Sequence, residues 1–145
     1  MIMFNRVKPH IFKYAITMAK FNNENGEFVH AYETNEYADM QCFLSHDKSL
    51  GYAIKDGDIV SVFKSPRSTI KGAMHHIMSH ALENGGYKLD CFDGFLPKQY
   101  KQYGFVEYDR MQWMDEYAPS NWNYEKFGKP DVVFMSLQYS QQLHA

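Results

Sequence analysis

The sequence predicts an α+β fold, a mixed and mostly antiparallel sheet flanked by helices. Three observations carry this expectation. Apolar residues at Ile70, Ala73, Met74, Ile77, Met78, Ala81 and Leu82 follow the spacing of one helix face without a miss. Directly before them, Asp58-Ile-Val-Ser-Val-Phe63 is an apolar, β-branched run of the kind that forms a buried strand. Around this pair, short β-rich runs alternate with turn residues, as in a meander of hairpins.

The elements follow in order. A short strand covers residues 1–7, and Pro9 then opens a helix whose apolar stripe is Ile11, Phe12, Ala15, Ile16 and Ala19. Asn22-Asn-Glu-Asn-Gly26 stops it. Residues 34–39 read as a second short helix with Thr34 as its cap. Three strands come next, at 41–45, 50–55 and 58–64, joined by turns at His46-Asp-Lys-Ser49 and Asp56-Gly57. The long helix ends at Gly85-Gly86. A strand at 87–92, a short helix at 97–103 closed by Gly104, and a strand at 105–113 follow. Residues 115–130 are loop-rich, and 131–137 form a last β run. The resulting order, β-α-α-β-β-β-α-β-α-β-β, predicts a parallel, right-handed step around the long helix.

A chain of 145 residues with 45% hydrophobic and 17% aromatic content suits one domain, 1–145, with a sizeable core. Lys and Arg number 15 against 17 Asp and Glu, so no global basic field exists to hold nucleic acid. No apolar run reaches the roughly 20 residues that cross a membrane, and the start Met1-Ile-Met-Phe is too short for a signal peptide's apolar region. Cys42 and Cys91 lie far apart in apolar runs with no CxxC partner, and read as buried free thiols of a reducing compartment; the cytoplasm is the expected location.

The strand at 58–64 feeds a polar loop containing Pro66 and Arg67, and the loop feeds a helix N-terminus. Unpaired backbone N–H groups and the positive end of the helix dipole point into such a loop, which suits phosphate. Backbone N–H groups from Ile70 to Ala73, with Arg67 and Lys71 adding charge, form a candidate phosphate seat.

The order of elements resembles the GNAT superfamily of acyl-CoA-dependent N-acyltransferases, and two local motifs agree. Arg67-Ser-Thr-Ile70-Lys-Gly72 stands where that family has Arg/Gln-x-x-Gly-x-Gly/Ala between a strand and a long helix. Downstream, Asp93 takes the place of a family asparagine, and Tyr100-Lys-Gln-Tyr-Gly104-Phe105 matches Tyr-x-x-x-Gly-Phe. The resemblance implies acetyl-CoA as co-substrate, an amine acceptor (a protein lysine, an N-terminus or a small amine), and Tyr100 as the acid that protonates the leaving sulfur. It implies a cofactor site of Val62, Phe63, Arg67, Ile70, Lys71, Gly72, Ala73 and Asp93. A splay between the strands near 60–63 and 89–92 would bare a backbone donor for the thioester oxyanion. Two departures stand out. Ile70 replaces the first glycine of the loop, and no glutamate lies on residues 58–63 to act as base; His46, Asp90 or a water chain are the substitutes.

Other readings compete. A GNAT-fold binding or inhibitor protein without activity would act through the aromatic loop of Trp113, Tyr117, Trp122, Tyr124 and Phe127, which could equally be a satellite hydrophobic cluster. Nucleic-acid binding by stacking lacks a supporting positive charge. His76 and His80 have the i, i+4 spacing of zinc ligands, but read first as a solvated polar helix face beside His75. Asp90 and Asp93 form a carboxylate pair, or a strand-end turn residue and a helix cap. Cys91 is a nucleophile candidate with no histidine nearby in sequence.

Overall fold

A computed structural model describes residues 2–21 and 23–137. It is an α+β fold with seven strands, and its contacts gather into two compact units divided between Gly86 and Tyr87.

In the first unit the strands β1 (Phe4–Arg6), β2 (Gln41–Ser45), β3 (Leu50–Lys55) and β4 (Asp58–Lys64) pair in that order, each antiparallel to the next. β2, β3 and β4 occupy the residues the sequence predicts. The β3–β4 turn works because Asp56 and Gly57 both take positive φ, 50° and 83°, matching the twist of the flanking strands. α1 (Pro9–Lys20) has Pro9 in its first turn, where the missing N–H is harmless. It turns Phe12, Ile16 and Ala19 onto a core that includes Tyr37, Cys42, Leu44, Ala53 and Phe63. Burial of each large side chain contributes about 1.5–3 kcal/mol. Gly51 is obligatory here, since a Cβ would run into the Phe63 ring and Leu44.

Two expectations need correction in this unit, the cap of the second helix and the start of the long one. α2 (Thr34–Tyr37) is capped by Glu33, not Thr34: the Glu33 side chain accepts from the backbone of Glu36, and the Glu36 carboxylate accepts from the Glu33 N–H at 3.1 Å. A 3₁₀ turn at Gly26–Phe28 follows the predicted stop. α3 (Ala73–Glu83) starts three residues after the apolar stripe begins, because Gly72 adopts φ 67° and ψ 38°, outside the right-handed helix. Ile70 therefore lies in the loop, while Ile77, Met78 and Ala81 remain the buried face.

β4 is not a regular strand. Val60 pairs with Ala53 and Phe63 with Gly51, so Ser61 and Val62 together oppose Tyr52. Ser61 takes φ 55°, and the result is a β-bulge. The Tyr32 N–H donates to the Tyr37 hydroxyl at 3.1 Å, Tyr37 and Ser61 share a hydroxyl bond at 2.8 Å, and Ser61 donates to the His30 carbonyl at 2.8 Å. Ser61 has one proton, so Tyr37 must be the donor to it.

The second unit holds β5 (Lys88–Phe92), α4 (Phe95–Lys101), β6 (Phe105–Met111), α5 (Tyr124–Phe127) and β7 (Val132–Leu137). β7 lies between β5 and β6 and is antiparallel to both. α4 begins earlier than predicted and is preceded by Gly94, not by an aspartate cap. The loop after β6 contains a 3₁₀ turn at Asp115–Tyr117 and α5. Its aromatic residues form a satellite cluster: Trp122 is 7% exposed, packs at 5.0 Å from both Phe92 and Trp113 and 5.2 Å from Phe127, and donates to the Gly128 carbonyl at 2.9 Å. Tyr124 joins edge-on to Trp113, while Tyr117 is 73% exposed. Among the described residues, no helix is long and apolar enough to cross a membrane.

Candidate functional site

The loop of residues 65–72 leaves β4 and is shaped by local bonds. Its first N–H, of Ser65, donates to the Ser49 carbonyl at 2.7 Å. Ser68 N–H donates to the Ser65 carbonyl at 3.0 Å, and Arg67 N–H to the Ser65 hydroxyl at 3.2 Å. Ile70 N–H donates to the Ser68 hydroxyl at 3.3 Å. Gly72 precedes α3 with no side-chain cap, and the His76 N–H makes the bond back to its carbonyl at 3.2 Å. A Cβ at Gly72 would meet nothing within 4 Å, so the approach to this helix end is open. Arg67 and Lys71 are exposed and form no ion pair among the described residues. The loop thus combines the positive end of α3 with two uncommitted cations.

The other predicted cofactor residues divide by side chain and backbone. Phe63 is buried with its ring edge-on to Phe12 at 5.7 Å, so only its backbone is available for binding. Val62 is half-buried beside the bulge. Ala73 is the first residue of α3. Ile70 is half-buried and lines a shallow groove with Ile2, Met3, Ser45, His46 and Asp47.

In the second unit Tyr100 lies on α4, is 6% exposed and meets the Phe105 ring edge-on at 6.3 Å. Its hydroxyl has no hydrogen-bond partner among the described residues. Burial, then the neighbouring Cys91 and Asp90, raise its pKa well above the ordinary phenol value. Asp93 is engaged: its carboxylate accepts from Arg110 at 2.7 Å and from the Gly94 N–H at 2.9 Å, and the Arg110 bond holds its pKa below the usual range. Arg110 also pairs with Glu107 and Asp131 at 2.7 and 3.0 Å. Cys91 is half-buried, not fully buried as Cys42 is, and both thiols are free. Burial, with Asp90 and Asp93 adding to it, pushes Cys91 up to about 12, which disfavours the thiolate a nucleophile needs.

His80 departs from the solvated face the sequence suggests. Its ring stacks on Phe4 at 4.9 Å, meets Phe43 edge-on at 4.9 Å, and bonds the Tyr52 hydroxyl through Nδ1. Burial depresses its pKa. The sequence signal was present but ambiguous: position 80 lies three residues past Ile77, at the edge of the apolar stripe. A second group the sequence reading passed over is Asp47, treated there as a turn residue; its Oδ1 accepts from the Ser49 N–H at 2.9 Å and from the Ser45 and Ser49 hydroxyls, each at 2.8 Å. A turn rich in Asp and Ser was the available clue.

No family model and no curated protein sequence matches the chain. Solved structures do. The ribosomal-protein-S18-alanine N-acetyltransferase of Escherichia coli is similar with a TM-score of 0.60 at 13% identity, covering 94% of this chain and 93% of that one. YjaB of Escherichia coli, solved in its apo form, is similar with a TM-score of 0.62 at 12% identity, covering 95% and 98%. YncA of Salmonella typhimurium, solved with its cofactor acetyl-CoA, is similar with a TM-score of 0.55 at 12% identity, covering 95% and 94%. The chain has the fold of the GNAT N-acetyltransferases.

Proposed function

We propose that the protein is a divergent GNAT N-acetyltransferase that moves an acetyl group from acetyl-CoA to an amine. One observation carries this reading: in a fold shared with N-acetyltransferases, the strand-to-helix loop ends in an open, uncapped helix start flanked by the uncommitted cations Arg67 and Lys71. Backbone N–H groups of Lys71, Gly72 and Ala73 receive the diphosphate, the Ile70 N–H being held by the Ser68 hydroxyl, and Arg67 and Lys71 neutralise it. The backbone of Val62, within the bulge, and of Phe63, just past it, supplies the donor for the thioester oxyanion. Asp93 meets the cofactor through its backbone carbonyl, since Arg110 and Gly94 hold its carboxylate and the Asp131 carbonyl holds its N–H.

Attack of a neutral amine on the thioester carbonyl forms the new C–N bond, and collapse of the tetrahedral adduct breaks the C–S bond. The sulfur then needs a proton, and the amine nitrogen must lose one. Tyr100 supplies the first, its phenol being protonated at neutral pH, and the proton lost by the amine through water restores it. The acceptor is a basic group such as a protein lysine, an N-terminus or a small amine, consistent with the slight acidic balance. The free thiols fit a cytoplasmic setting.

Thermal denaturation with acetyl-CoA tests the reading. Saturating cofactor at about a hundred times Kd adds about 2.7 kcal/mol, a shift of several degrees, and Arg67→Glu abolishes it. The second reading, a binding protein without activity, is favoured by Ile70 in the glycine position of the loop. Absence of any shift at millimolar acetyl-CoA selects it.

A further inference from the structure

We propose that Asp47 is a positioning residue for the diphosphate loop: through Ser49 and Ser68 it holds residues 65–72 in the conformation that receives acetyl-CoA. The inference rests on the reading of that loop given above.

The hydrogen bonds fix the direction of the chain. Ser49 donates its single hydroxyl proton to Asp47 Oδ1 at 2.8 Å. Its bond with the Ser68 hydroxyl, also 2.8 Å, must therefore be donated by Ser68. Ser68 in turn accepts the Ile70 N–H at 3.3 Å. Every donor from Ile70 onward points to one carboxylate oxygen. The Ser45 hydroxyl donates to the same oxygen and accepts the Leu50 N–H at 3.0 Å. Ser45 and Ser49 are buried, 2% and 9% exposed, so their hydroxyls have no ready substitute in water.

Among the described residues, the loop's other hydrogen bond to the sheet is the Ser65 N–H on the Ser49 carbonyl, so both bonds end on Ser49. Ser49 follows Lys48, which takes φ 65°, a conformation that a lysine holds only when its neighbours are pinned. Asp47 pins them with three bonds to one ionised oxygen, and such charge-assisted bonds are about twice as strong as neutral ones. Bonding to the Ser49 N–H first, and to the serine hydroxyls after it, keeps the carboxyl below its usual pKa and so ionised at neutral pH. A binding loop held in its bound shape before the ligand arrives loses less freedom on binding.

Calorimetric titration of the purified protein with acetyl-CoA tests this. Ser68→Ala cuts the link to the loop without touching the hairpin turn. It raises Kd about tenfold, leaves the thermal midpoint of the unliganded protein unchanged, and is rescued by Ser68→Thr, which keeps the hydroxyl. Asp47→Ala raises Kd at least as much, and adding Ser68→Ala to it brings no further loss because both sit on one chain. Asp47→Asn replaces it in that comparison if the alanine variant does not fold. Unchanged Kd in Ser68→Ala, or failure of Ser68→Thr to rescue a lost affinity, overturns the positioning role while the cofactor reading stands. Wild-type protein that takes up no acetyl-CoA overturns both.

Discussion

In the first unit the five buried hydroxyls, on Tyr37, Ser45, Ser49, Tyr52 and Ser61, all have partners, and each chain ends on a carbonyl, a carboxylate or a ring nitrogen. In the second unit the Ser136 hydroxyl is buried with no partner among the described residues, and the Tyr100 hydroxyl makes no hydrogen bond to them either. A buried hydroxyl without a partner is costly, by about 1–3 kcal/mol. The contrast separates hydroxyls that hold structure from hydroxyls that do not. The first unit's hydroxyls are absorbed in holding a bulge, a hairpin turn and an aromatic cluster. Tyr100 retains its hydrogen-bonding capacity, which the role proposed for it would need.

The largest effect follows for Tyr100→Phe. If its hydroxyl protonates the leaving sulfur, its loss lowers turnover about a hundredfold, followed as release of CoA thiol, while stability does not fall because no hydrogen bond to a described residue is broken. Tyr37→Phe reverses the pattern. It strips the Tyr32 N–H of its acceptor and Ser61 of its donor, and lowers stability by about 1–3 kcal/mol in urea denaturation. Full turnover in Tyr100→Phe removes that residue as the acid; a neutral Tyr37→Phe removes the contrast between the tyrosines.

What the sequence made legible follows the same division. β2, β3 and β4 were readable to the residue because their turns are short and chemically distinct. Phe12, Ile16 and Ala19 followed from the stripe of α1. The start of α3 was not readable, because Ile70 continues the apolar spacing while the αL conformation of Gly72 breaks the helix after it. Glycine at position 72 permits that conformation but does not announce it. The strand-to-helix loop and Tyr100 were visible as motifs. Asp47 was not, since its role depends on Ser68, 21 residues away and brought close by the fold. His80 was misplaced because its burial comes from Phe4 and Phe43, on strands that its own helix pattern cannot report.

A smaller effect, of opposite sign, belongs to Ser136→Ala. The Ser136 hydroxyl is buried in β7 with no partner among the described residues, so removing it relieves desolvation and loses no bond to them. Stability rises by about 1 kcal/mol, whereas Ser61→Ala in the first unit lowers it. A measurable loss in Ser136→Ala means that an ordered water completes the hydroxyl's bonds, and the contrast between the units then rests on Tyr100 alone.

The smallest effect is a pH dependence, because the His80 ring is only half-buried and water screens its charge. With its proton on Nε2, neutral His80 accepts the Tyr52 proton on Nδ1. Protonation would make Nδ1 a donor and force the fully buried Tyr52 hydroxyl to turn its proton toward apolar surroundings, against which the nearby Glu83 offers only partial relief. The folded-state pKa therefore lies below the unfolded value of 6.5. Below pH 6.5 the unfolded chain takes up a proton that the folded protein refuses, so this contribution to stability is whole above 6.5 and shrinks as pH falls toward the folded value. Asp47, whose pKa is also lowered, adds a loss only below its unfolded 3.8, so the two windows are separate. Urea midpoints measured from pH 8 to pH 5 should fall in the wild type and fall less in His80→Gln, whose amide oxygen can still accept from Tyr52. Equal slopes in the two proteins would mean that His80 carries its proton as readily folded as unfolded, and that the first unit's polar chains are less complete than their geometry indicates.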